Sequence, residues 1–253
     1  MHELLELAKT AALEAGAEIM KIYTDPVQDF GVEKKSDNSP LTLADKAAHL
    51  CIVRYLQETG IPILSEEGSH MPYEERRVWN RLWVVDPLDG TKEFIKKNGE
   101  FTVNIALVED GIPVLGVIYI PTTDILYYGI VGESAWKQID EKSIQLPTPT
   151  KHEGFVVVAS RSHMTPETEA YVADVRRMYS QVELISCGSS IKICLVAEGA
   201  ADAYPRFAPT MEWDTAAGDA IARAAGKQVL DVQTGNPLTY NKEDLHNPWF
   251  LVE

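Results

Sequence analysis

Five carboxylates in this chain stand where short apolar segments end. Glu66 and Glu67 follow Ile61-Pro62-Ile63-Leu64-Ser65, Asp86 and Asp89 flank Pro87-Leu88 directly after Leu82-Trp83-Val84-Val85, and Asp214 follows Trp213 ahead of an alanine-rich stretch. Strand ends carry short loops, so side chains from distant positions can converge there. Oxygen donors in this number suit a hard cation such as Mg²⁺ rather than zinc or copper. Two such ions a few ångströms apart can activate a water and stabilise the departing oxygen of an in-line displacement. Asp45 adds a sixth carboxylate, in Thr42-Leu43-Ala44-Asp45, and Thr91, just beyond Gly90, is the natural hydroxyl for it to orient. Backbone N–H groups at a helix start after Gly90 could also hold a phosphate.

Each of these residues has a plainer reading. Glu66-Glu67 is compatible with a solvated loop pair, and Asp86-Pro87-Leu88-Asp89-Gly90 with a surface turn. Asp214 has the place of a helix N-cap, and Thr42 to Asp45 has the spacing of a capping box. The plain readings fare worse together, because three strand ends would then need acidic clusters for unrelated reasons.

The elements that must position these groups are legible from periodicity. Leu4, Leu5, Ala8, Ala11, Ala12, Ala15 and Ile19 recur at helical intervals, and a second helix runs from about Thr42 to Leu56, stopped by Gly60 and Pro62. Between them Lys34 to Pro40 reads as a solvent-facing turn or loop. Strands are expected at 61–64, 82–85, 101–109, 113–120 and 125–131, close enough together to make an antiparallel sheet. Residues 140–154 are polar, contain Pro147 and Pro149, and form the candidate boundary. Beyond them strands at 155–159, 182–186, 201–204 and 228–232 alternate with helices at 166–179, 190–198 and 215–225, an α/β pattern. The division expected is residues 1–145, an α+β half with most metal ligands, and 146–253, an α/β half.

Composition narrows the function. The 253 residues include 38 acidic against 23 basic, a formal net charge of −15, which disfavours a general nucleic-acid binder. Divalent cations on the carboxylates would let such an acidic chain hold an anionic substrate. Cys51, Cys187 and Cys194 lack Cys-x-x-Cys spacing, which argues against a disulfide framework or zinc ribbon and for a reducing, cytoplasmic setting. No apolar run reaches the ~18 residues of a membrane span.

Asp86-Pro87-Leu88-Asp89-Gly90-Thr91 and Trp213-Asp214-Thr215-Ala216-Ala217-Gly218 together resemble the two signature segments of the inositol monophosphatase superfamily. The 3′(2′),5′-bisphosphate nucleotidase branch is indicated by Thr91-Lys92-Glu93-Phe94-Ile95, Gly99 to Asn104, Ser160-Arg161-Ser162-His163, Gly188-Ser189-Ser190-Ile191-Lys192 and Tyr204-Pro205-Arg206. The resemblance covers essentially the whole chain. It implies a layered αβαβα sandwich of the inositol monophosphatase and fructose-1,6-bisphosphatase type, and a lithium-sensitive, Mg²⁺-dependent phosphatase. By the same resemblance, Glu66, Asp86 and the Leu88 carbonyl hold one metal, and Asp86, Asp89 and Asp214 the second. A third, weaker ion lies near Glu66, with Glu67 in support. Thr91, oriented by Asp45, aligns the water, while Asp89, Gly90, Thr91 and Lys92 contact the transferred phosphate. Ser160, His163, Ser189, Lys192 and Arg206 line the nucleotide pocket, where Lys192 and Arg206 can meet the second phosphate.

The activity implied is hydrolysis of adenosine 3′,5′-bisphosphate by metal-activated water, with no covalent phosphoenzyme, in a sulfate-assimilation setting. Its rivals are an inositol monophosphate phosphatase, activity on the 5′-phosphosulfate analogue, and a non-catalytic nucleotide or metal sensor. The sensor would need a broken ligand set, and none of Glu66, Asp86, Asp89, Thr91 or Asp214 is missing. Monomer and homodimer both stay open, as does peripheral attachment to the inner membrane, for which the sequence shows no anchor.

Overall fold

A stripe of small residues starts the architecture. Leu5, Ala8, Ala11, Ala12, Ala15, Gly16 and Ile19 are the buried face of helix α1 (His2–Tyr23), and their size lets it lie close to α2 (Leu43–Leu56). Thr42 caps α2, with Asp45 returning the capping-box bond. The computed structural model describes residues 1–25, 30–34, 40–68, 71–149, 152–160 and 164–253. The loop expected around Lys34–Pro40 falls largely outside them, and its flanks β1 (Glu33–Lys34) and β2 (Pro40–Leu41) pair antiparallel.

The remaining elements of the first half are β3 (Ile63–Ser65), α3 (Tyr73–Arg76), β4 (Arg81–Asp89), α4 (Thr91–Ile95), β5 (Thr102–Glu109), β6 (Ile112–Ile120), β7 (Ile125–Ile130), β8 (Ala135–Ile139) and β9 (Lys142–Leu146). Strands β3 to β9 form a seven-stranded sheet in sequence order. The expected antiparallel pairing holds except at β3 and β4, which run parallel. The β8–β9 hairpin occupies part of the polar stretch from which no strand was expected. Its outer strand exposes Lys142 to Gln145, so it carries no apolar alternation.

The second half adds β10 (Phe155–Ser160), α5 (Pro166–Met178), β11 (Val182–Cys187), α6 (Ile191–Glu198), β12 (Tyr204–Arg206), α7 (Glu212–Ala224), β13 (Val229–Asp231) and β14 (Phe250–Val252). Strands β10 and β11 pair in parallel, β12-β14-β13 form an antiparallel sheet, and a bridge between Val157 and Ala203 links the two.

Both faces of the large sheet are covered, which is why β4 reads as one continuous buried run. Trp83, Val85, Ile105 and Leu107 pack towards α1 and α2. Leu82, Val84, Ala106 and Val108 point the other way, towards Trp213, Ala216 and Ile221 of α7. Each such large apolar side chain contributes about 1.5–3 kcal/mol by burial. The smaller sheets lie beyond α6 and α7, and α5 packs on β10 through Val172 and Val175. The layers are therefore α, β, α, β, α, as the resemblance implied.

Helix α7 carries Asp214, so its seat on the sheet matters. Gly116 of β6 makes that seat possible, since a Cβ there would lie 2.2 Å from the Ala217 carbonyl oxygen. The obstacle is helix backbone, which cannot rotate away. Gly116→Ala should therefore cost about 1–3 kcal/mol, read as a lower urea midpoint. An unchanged midpoint would show that α7 is free to lift from the sheet.

Candidate active site

The site grows from the end of β4. Pairing with β5 slips between Asp86, opposite Asn104, and Asp89, opposite Thr102, so β4 holds one residue more than its partner. Such a bulge re-aims side chains, and Pro87 suits it because it has no N–H to leave unpaired. The Asp86 carboxylate accepts the Leu88 N–H at 3.0 Å, which fixes the turn. Gly90 follows with φ 97°, and a Cβ there would meet the Glu100 carbonyl at 2.9 Å.

The neighbouring strand β3 ends at Ser65, opposite Val85, which places Glu66 beside Asp86, and the two carboxyl groups are hydrogen-bonded. His49 of α2 braces that corner with a 2.9 Å contact from Nδ1 to the Ser65 hydroxyl. Asp214 arrives from the opposite face of the sheet. It lies inside the first turn of α7, which begins at Glu212 rather than after Asp214 as the sequence suggested, and it accepts the Met211 N–H at 2.8 Å. Asp86, Asp89 and Asp214 each present an oxygen within 4.8 Å of the others.

Burial and the charges of Glu66, Asp89 and Asp214 push the Asp86 carboxyl well above its ordinary range. Burial, followed by the nearby Asp89, raises Asp214 to about 8. Groups so placed relax either by taking up protons or by binding cations. The donors are all oxygen and come from three elements, and Glu66, Asp89 and Asp214 open on a cavity. That chemistry fits a hard divalent ion.

Asp45 is fully buried and serves both roles that the sequence left open. Its Oδ2 accepts from the Thr42 N–H at 2.7 Å and the Thr42 hydroxyl at 2.6 Å, while Oδ1 accepts the Thr91 hydroxyl at 3.2 Å. Thr91 Oγ1 is also 3.4 Å from the Leu88 carbonyl oxygen.

One cavity of about 340 Å³ collects Glu66, Asp89, Gly90, Thr91, Lys92, Ser160, Ser189, Lys192, Arg206 and Asp214. Asp86 and Leu88 are buried and do not reach its wall, Asp45 stands behind Thr91, and Glu67 is next to Glu66 in the turn. His163 lies outside the described residues. Lys192 is almost fully buried, donates to the Ser189 carbonyl at 2.5 Å, and has its Nζ 5.4 Å from the Tyr204 ring centroid. Burial lowers the pKa of its ammonium, Asp89 opposes that shift, and Arg206 adds to it. Arg206 donates to the Pro209 carbonyl at 3.1 Å, while its Nε is buried without a partner. The cavity thus has an acidic floor and a basic wall.

Two residues that the sequence reading quoted only within its branch segments, without a site role, stand beside the acids. Ser190 Oγ lies 2.6 Å from Asp89 Oδ2, and Asn104 Nδ2 donates to Ser190 at 2.9 Å. Asn104 was detectable as the amide in an apolar run. Ser190 was not, since helix phase alone decides which of two adjacent serines turns inward.

The model of the inositol monophosphatase family matches residues 1–249, and the chain belongs to that family. The 3′(2′),5′-bisphosphate nucleotidase CysQ of Salmonella typhimurium is 47% identical over 252 residues, spanning 98% of this chain and 99% of that protein. The protein of the same name from Escherichia coli K12 is 46% identical over the same length. Among solved structures, CysQ from Bacteroides thetaiotaomicron superposes with a TM-score of 0.92 at 57% identity, covering 99% of this chain and 97% of that one. No helix among the described residues is long and apolar enough to cross a membrane.

An aspartate whose folded pKa is raised from 3.8 to about 8 takes up a proton on folding between those values, so its contribution to stability falls as pH rises through them. In chelator, urea stability should fall between about pH 5 and about pH 8, and Asp214→Asn should flatten that slope. An equal slope in the variant would remove Asp214 as a source of it.

Proposed function

We propose that the chain is a Mg²⁺-dependent 3′(2′),5′-bisphosphate nucleotidase that hydrolyses adenosine 3′,5′-bisphosphate to AMP and phosphate by direct attack of water. The observation that carries this reading is the cavity in which a carboxylate cluster faces the buried Lys192 and the half-buried Arg206. The full-length relatives that bear the nucleotidase name support it.

Glu66, Asp86, Asp89, Asp214 and the Leu88 carbonyl would hold two Mg²⁺ ions, with a third near Glu66. When bound, the ions supply a water of lowered pKa and offset the charge on the leaving 3′-oxygen. The protein's own groups do the rest. Asp45 takes the Thr91 hydroxyl hydrogen, which leaves a Thr91 lone pair to accept from the attacking water and hold it in line. The N–H groups after Gly90 and the Lys92 ammonium receive the transferred phosphate. Ser160 and Ser189 border the nucleoside, a role that the resemblance also implies for His163.

Lys192 and Arg206 meet the phosphate that does not react. Lys192 is buried and the Arg206 Nε has no partner, a cost that a second phosphate relieves. An inositol monophosphate brings no second phosphate, so it would leave both unmatched. This contrast favours the nucleotide over the inositol ester.

Phosphate release should be compared for adenosine 3′,5′-bisphosphate, adenosine 3′-phosphate and inositol 1-phosphate. The bisphosphate should be preferred, and Arg206→Met should erode its advantage over the 3′-monophosphate by roughly ten- to a hundredfold. Asp89→Asn should lose more than about nine-tenths of turnover, a barrier rise above roughly 1.4 kcal/mol, with the fold retained. Preference for the inositol ester would overturn the assignment of the basic wall, and activity in the Asn variant would overturn that of the floor.

A further inference from the structure

Ser190 occupies the N-cap position of α6 but makes no side-chain capping bond. Serine at that position ordinarily accepts an N–H of the first turn. Here the hydroxyl is turned away from its own helix and buried at the seam of three other elements. It lies 2.6 Å from Asp89 Oδ2 at the end of β4 and 2.7 Å from the Asp214 carbonyl oxygen in α7, and it receives Asn104 Nδ2 of β5 at 2.9 Å. Asn104 reaches Asp89 directly only at 3.4 Å.

We infer that Ser190 is a positioning residue that sets the separation of Asp89 and Asp214 and thereby tunes the affinity of the carboxylate cluster for divalent cations. The inference rests on the proposed reading of those two aspartates as cation ligands.

The hydrogen count argues for this role. Asn104 Nδ2 fills one lone pair of the serine oxygen and so orients it. The single hydroxyl hydrogen then has two acceptors at almost equal distance, one of them a carboxylate. Ser190 is therefore the shared contact between the strand that brings Asp89 and the helix that brings Asp214. The two ligands are 125 positions apart in the chain, and no other hydrogen bond of comparable length joins them among the described residues. Asn104 is itself buried with Oδ1 unpartnered. That orphan acceptor is a cost, consistent with an amide held for what its Nδ2 does. Groups that orient metal ligands from behind typically change affinity by 10- to 100-fold when removed.

The test is Mn²⁺ binding followed by electron paramagnetic resonance, on wild type, Ser190→Ala and Ser190→Cys. The alanine variant removes the hydroxyl without adding bulk and the cysteine variant fills the site with a larger, weaker donor, so a loss common to both follows the hydrogen bond rather than the packing. Thermal midpoints in chelator and KM for adenosine 3′,5′-bisphosphate at saturating Mg²⁺ are read alongside.

Both variants should bind Mn²⁺ about ten- to a hundredfold more weakly, with KM within about twofold of wild type and a single cooperative unfolding transition kept in chelator. Mn²⁺ affinity of Ser190→Ala within about twofold of wild type would overturn the inference. So would a KM that rises in step with the affinity loss, since Ser190 would then be touching substrate. Wild type that fails to bind Mn²⁺ would instead overturn the proposed function, and the inference with it.

Discussion

The repulsion among buried carboxylates is the constraint on which the rest of this structure depends. Oxygens of Asp86, Asp89 and Asp214 stand within 4.8 Å of one another, and Glu66 is bonded to Asp86. At an effective dielectric near 20, each fully charged pair at such a distance costs roughly 3 kcal/mol. A stability of only about 5–15 kcal/mol for a whole domain cannot absorb several such terms idly. The cluster must be relieved, either by protons, as the raised pKa values of Asp86 and Asp214 indicate, or by cations. At neutral pH, where activity is expected, the cation is the partner that leaves every oxygen available as a ligand.

Holding the acids together against this repulsion falls to parts of the chain with no chemistry of their own. The first turn of α7 is tied down by Glu212, fully buried, whose carboxylate accepts the Asn241 and Lys242 N–H groups at 2.6 and 3.0 Å and the Lys242 ammonium at 2.6 Å. Farther along the helix, Asp219 binds Arg223 through two bonds and accepts the Tyr240 hydroxyl. Asn247 reaches the Met211 carbonyl at 2.7 Å and the Thr215 hydroxyl at 3.0 Å. The irregular segment from Leu238 to Asn247 therefore ties α7 down, and its Tyr240 N–H also reaches the Gly111 carbonyl between β5 and β6 at 3.0 Å. Asp214 thus stands on a helix held by this segment as well as by the sheet.

Much of this was legible in the sequence because the site sits at the ends of apolar segments, and such segments announce themselves. The β4 run, the Ala-rich faces of α1 and α7, and the acid pairs that follow the strands were each visible locally. The β8–β9 hairpin was not, because an edge strand with four exposed residues has no apolar period to read. The start of α7 was misplaced by three residues, since Glu212, Trp213 and Asp214 look like a loop until tertiary bonds to Asn241 and Lys242 bury the glutamate. The double use of Asp45 could not be decided from spacing, because a capping box leaves one carboxylate oxygen spare and only the fold brings Thr91 to it. Ser190 escaped for the same reason: its partners are 101, 86 and 24 positions away.

The central claim is that divalent cations replace protons on a preassembled acid cluster. Calorimetric titration of the metal-free protein with Mg²⁺ near pH 7, repeated in two buffers of different ionisation heat, tests it most directly. The account predicts saturable binding with proton release that diminishes as the pH is raised through about 8, where Asp214 gives up its proton without help from a cation. Saturable binding with no proton exchange at neutral pH, or no binding at all, would contradict it.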